Sequence, residues 1–62
     1  MFIVQPTHQV HRQMQDRAVA FQHARQVSYL YPIQVIVVDE GDEKYGPASI
    51  ARFLNGKQTF PI

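Results

Sequence analysis

The chain has no cysteine and no tryptophan, only three glycines, and no aliphatic run longer than Val35-Ile36-Val37-Val38. Without cysteine there is no disulfide, no thiolate metal site and no thiol nucleophile. That is compatible with a reducing compartment, and cytoplasm is the expected location. Without a long apolar run there is no candidate membrane span. The N-terminus Met1-Phe2-Ile3-Val4-Gln5-Pro6 has no basic region and too short an apolar stretch for a signal peptide.

The inventory for catalysis is equally thin. Ser28 and Ser49 lie in no nucleophile elbow, and no glycine-rich loop could cradle a phosphate. His8 and His11 stand three apart, a spacing that on a helix can hold a metal. Yet His23 would lie about four turns away, and no cysteine or well-placed carboxylate completes a set. Asp39-Glu40-Gly41-Asp42-Glu43 lacks the alternating register and distal glutamate of a calcium loop. No catalytic residue, cofactor or metal is therefore expected, and the chain is read as a non-enzyme.

A chain of 62 residues makes one small domain, residues 1–62, that buries only about 60% of the surface its unfolded form exposes. Domains of this size draw stability from disulfides, a metal or another subunit. With the first two routes closed, a homodimer is the expected solution. The formal charge of +1 is unevenly spread: residues 1–38 carry +2, residues 39–47 carry −3, and residues 48–62 carry +2. A basic segment beside an acidic one can be complementary across a seam or can steer a charged partner.

Phe2–Gln5 reads as a first strand. Pro6 followed by Thr7 predicts a helix start with Thr7 as N-cap, and the helix should run to about Tyr31, where Pro32 forbids its continuation. At about 100° per residue, Val10, Met14, Ala20, Phe21, Ala24, Val27, Ser28 and Tyr31 share one face. Arg17 is the one charge inside that apolar stripe. Its stem is expected to lie along the core while the guanidinium reaches water; a pairing with one of the Asp39 to Glu43 carboxylates is the alternative. Val19 and Leu30 fall on the opposite, wet face and suggest contact there.

Ile33 to Val38 is β-branched enough to be a strand. Ile33, Val35 and Val37 would face one way and Ile36 and Val38 the other, and a single helix covers only one side. Asp39–Pro47 is a loop by its glycines and proline. Ser49–Leu54 predicts a strand with Ala51 and Phe53 on one side and Ile50, Arg52 and Leu54 on the other. It should turn through Asn55-Gly56, a type I′ signal, into Lys57–Phe60. A short C-terminal helix over 48–55, opened by Pro47 and closed by Gly56, satisfies capping rules as well.

The expectation is a two-layer α+β fold. It takes the form of a β-α-β-β unit, one long amphipathic helix on a small, mainly antiparallel sheet of three strands, or four if Lys57–Phe60 pairs. One sheet face is left without cover, as interfaces are. A short reading frame beginning at Met1 with no catalytic apparatus points to a protein-interaction module that binds another macromolecule and blocks or adapts it, in the manner of inhibitors carried by phages or plasmids. Arg17, Val19, Leu30, Ile36, Asp39, Glu40, Asp42, Glu43 and Tyr45 are the residues expected to meet a protein partner. The alternative is a small nucleic-acid-binding or transcription-regulating protein using its basic helix, although six basic against five acidic residues is a weak footprint for that role.

Overall fold

Pro6 does not open a helix. In the computed structural model, which describes residues 1–61, Pro6 is the last residue of strand β1 (Phe2–Pro6) and sits opposite Val35. Thr7 does not cap either. Its N–H and its hydroxyl both donate to the Gln34 carbonyl, at 3.1 and 2.9 Å, so the side-chain oxygen that an N-cap needs is engaged with a segment distant in sequence. The chain turns through His8, whose φ of 61° is left-handed. It then returns as a short strand β2 (Arg12–Met14), antiparallel to β1.

The helix α1 (Arg17–Leu30) therefore begins nine residues later than a Thr7 N-cap would place it. Its N-cap is Asp16, whose Oδ1 accepts from the Ala18 and Val19 amides at 2.8 and 3.2 Å, satisfying two of the four donors that a helix start leaves open. Its end falls where Pro32 requires. Tyr31 is the extended C-cap, and its N–H closes the last turn on the Val27 carbonyl. The expected helical face is corrected accordingly. Val10 lies before the helix and is 84% exposed, and Met14 reaches the core from β2. Ala20, Ala24 and Ser28 form the buried side as expected.

Three further strands complete the fold: β3 (Val35–Asp39), β4 (Ala48–Leu54) and β5 (Lys57–Phe60). The sheet has five strands in the order β2-β1-β3-β4-β5, every neighbour antiparallel, in place of the three or four expected. The helical alternative for 48–55 is excluded by β4 and its pairing to β3. Asn55 and Gly56 both have positive φ, 54° and 78°, as a type I′ hairpin turn demands. The fold is thus α+β in two layers, with α1 packed over β1, β3 and β4. Among the described residues no helix is long and apolar enough to cross a membrane.

Beneath the helix, Val4, Val35, Val37, Ala51 and Phe53 are fully buried with Ala20 and Ala24. Small residues on the contact side of α1 let its backbone approach the sheet. Phe53 fills the remaining space and meets Phe21 edge-on, ring centroids 5.8 Å apart. A bulge in the β3–β4 pairing, between Val37 and Val38, leaves Ile50 without a direct partner. There it packs against the core and so departs from the side expected for it. Ser28 is the only buried polar residue among those described. Its hydroxyl donates to the Arg25 carbonyl at 2.9 Å and accepts from the Gly56 amide at 3.0 Å, so one oxygen ties the last turns of the helix to the β4–β5 turn.

Two measurements check this account. Ser28→Ala leaves the Gly56 amide without its acceptor and is expected to cost about 1–3 kcal/mol, read from urea midpoints at constant slope. Asp16→Ala is expected to cost about 1 kcal/mol and to lower the helical circular-dichroism signal, whereas Thr7→Ala leaves the helical signal unchanged. An equal loss of helix from both would contradict the Asp16 cap.

Candidate functional site

Two surfaces lie on opposite sides of the molecule, and the strand register defines the first. On the sheet face turned away from α1, Gln13, Ile3, Val38 and Ser49 form one row across four strands. Gln5, Ile36, Arg52 and Phe60 form the next, and Leu54 and Lys57 a third. Ile3, Ile36 and Val38 are half-buried, while Leu54 and Phe60 are 41% and 43% exposed. The Arg52 guanidinium lies 5.5 Å over the Phe60 ring, which carries its charge to the β4–β5 margin. An aliphatic centre is thus framed by amides and two cations. None of these residues is acidic.

The second surface is the flank of α1 that faces the β4–β5 margin. A groove of about 690 Å³ is lined by Arg17, Ala18, Phe21, Gln22 and Arg25. A second, of about 410 Å³, shares Gln22 and Arg25 and continues past Gln26 and Tyr29 to Gly56. The Arg17 guanidinium sits 5.1 Å over the Phe21 ring and that of Arg25 sits 5.7 Å over Phe53, cation–π contacts that hold both side chains against the fold. Tyr29 closes the far end. A Cβ on Gly56 would lie 3.1 Å from the Tyr29 Cβ and Cδ2 atoms, so the tyrosine packs on the bare turn while remaining 76% exposed.

The residues expected from sequence do not form one patch. Ile36 belongs to the open sheet face. Arg17 heads the helix-side groove, and its alternative carboxylate pairing is not what the structure shows. Val19 and Leu30 are exposed on α1, as expected, outside both surfaces. Asp39 ends β3, and Glu40, Asp42, Glu43 and Tyr45 occupy the loop beyond. There the carboxylates organise the loop itself: Asp39 Oδ1 accepts from the Gly41 amide, and Asp42 Oδ1 accepts from those of Lys44 and Tyr45, all within 2.9 Å. Glu40 accepts from the Gln13 side chain on β2 at 3.0 Å. His8 and His11 precede the helix, so their helical spacing does not exist. Among the described residues no group of three or more His, Asp or Glu is placed to hold a metal.

Sequence reasoning missed Ile3, Leu54 and Phe60 as partners of Ile36, because only the strand order brings them together. It placed Phe21 on the same stripe as Arg17 but did not continue that line to Arg25 and Tyr29, although the spacing of four was there to be seen. No family model, curated protein or solved structure matches this chain, and the surfaces stand on their own geometry.

Gly56→Ala tests the closed end of the groove. A left-handed backbone costs a side chain about 1–2 kcal/mol, and the clash with Tyr29 adds to it. In a double-mutant cycle with Tyr29→Ala, which removes the ring but keeps the Cβ, the ring's share of the clash is expected to be relieved, giving a favourable coupling. Strict additivity would show that the ring does not pack on the turn.

Proposed function

We propose that this chain is a small non-enzymatic interaction module whose open sheet face docks on another protein, blocking or adapting it. For the chain on its own, the same face closes on a second copy. The observation that carries the reading is the uncovered aliphatic centre Ile3, Ile36 and Val38 with Leu54 and Phe60 beside it. Apolar area of this kind is returned to water in a lone chain at about 25 cal/mol per Å². An apolar centre with a rim of Gln5, Gln13, Arg52 and Lys57 has the layout of a protein–protein interface.

The edges of the sheet support docking through the face. β2 is three residues long and β5, Lys57–Phe60, is exposed and mostly polar. Short, polar edge strands discourage strand addition. The inhibitor or adaptor role rests on the same surface: a rigid face with no catalytic group beside it acts by occupying a partner's surface.

A photo-crosslinking side chain at Leu54 is expected to give a covalent adduct with a defined protein, a second copy in the case of the pure chain. The same probe at His23, on the helix layer, gives none. Ile36→Asp should abolish the Leu54 adduct and, in sedimentation at micromolar concentration, leave only the 7.2 kDa monomer. A wild-type chain that sediments as a monomer and forms no adduct from Leu54 in its native cell would remove this reading.

A further inference from the structure

We propose that the groove along the flank of α1, which ends at Gly56 in the β4–β5 turn, binds the backbone of a single-stranded nucleic acid, a second interaction on the side opposite the open sheet face. Arg17, Phe21, Arg25 and Tyr29 recur every fourth residue along α1, alternating cation and ring at steps of about 6 Å and turning about 40° per step around the axis. The stripe follows the two confluent grooves from the start of the helix to the β4–β5 turn. A basic channel with an exposed aromatic ring is the arrangement with which proteins hold single strands, the cations tracking phosphates and the ring stacking a base; Tyr29 is that ring, while Phe21, packed on the core, seats Arg17.

The electrostatics of the groove favour an anion. α1 contains no Asp or Glu, and among the described residues no carboxylate lines either groove. Asp16, next to Arg17, has its Oδ1 committed to the Ala18 and Val19 amides. Both guanidiniums rest on phenyl faces, which positions them without neutralising them and leaves their N–H edges for phosphate oxygens. Gln22 and Gln26 supply amides that donate and accept, and Tyr29 supplies an exposed ring.

A single strand suits the place better than a duplex. The groove runs along the side of the helix against the β4–β5 margin, so the outer crest that would enter a duplex groove carries neither arginine. An acidic peptide would use the cations but would leave the tyrosine ring without a role.

Fluorescence anisotropy with a labelled 15-nucleotide single strand, DNA and RNA in parallel, tests the proposal. Two phosphate contacts predict a slope of log affinity against log salt of about −1.4, or about a seven-fold loss between 50 and 200 mM. Arg17→Gln with Arg25→Gln is expected to flatten that slope. Tyr29→Leu keeps an apolar cover over Gly56 but removes the ring, and should weaken binding about 5- to 160-fold. Matched thermal melts confirm that each variant is folded. Ile36→Asp, which disrupts the open sheet face, should leave the oligonucleotide affinity unchanged and so separates this proposal from the docking reading. Absence of binding at 50 mM salt overturns it. So does binding insensitive to the two arginines, tighter binding of a duplex of the same sequence, or equal binding of a polyglutamate peptide.

Discussion

One helix can cover only one face of a sheet, and most of this molecule follows from that constraint. Fourteen residues of α1 make a cylinder about 21 Å long, enough to lie across β1, β3 and β4 on one side. The central strand β3 is apolar on both sides all the same, with Val35 and Val37 sealed under the helix and Ile36 and Val38 turned away from it. The covered side is packed as an interior, through alanines that bring the helix close and a phenylalanine that fills the gap. The other side is organised as a surface, with its aliphatic residues in the middle and its amides and cations around them.

Much of this was legible locally. The β-branched run, the proline after Tyr31 and the Asn-Gly turn each settle their conformation within a few residues, and each has the expected form, except that the strand begins at Val35 and leaves Ile33 and Gln34 outside it. The start of the helix was not legible, because Pro6-Thr7 satisfies capping rules on paper and the decision is made elsewhere: Thr7 bonds to the Gln34 carbonyl, 27 residues on. A partner that distant leaves no mark on local pattern. The strand β2 was hidden for a related reason, since Arg12-Gln13-Met14 has little β character and pairs only because β1 offers it an edge.

The surfaces divide along the same line. Ile36 could be named because the two-sided character of its strand is written in consecutive residues. Its companions Ile3, Leu54 and Phe60 come from three other strands, and only the register unites them. Along α1 the repeat of arginine and aromatic every four residues was present in the letters, but a helix begun nine residues too early mixed Val10 and Met14 into its face and obscured the flank. The acidic loop shows the converse: four carboxylates in five residues suggest an outward purpose, yet three of them accept hydrogen bonds that shape the loop or tie it to β2.

The strand order β2-β1-β3-β4-β5 also sets the sequence of events by which the chain can assemble. β1 with β2, β3 with β4 and β4 with β5 are neighbours in sequence, so each pair can form as a hairpin as soon as its turn closes. The seam between β1 and β3 is different, because every rung from Pro6–Val35 to Phe2–Asp39 joins residues about thirty or more apart, a closure whose entropy must be met before contacts repay it. Two local hairpin units, one at each end of the chain, are thus joined by the helix that lies between them in sequence. The same α1 that seals the core is the tether that sets how often the halves meet, which makes the speed of folding a property of the helix's end-to-end reach as much as of the strands it covers.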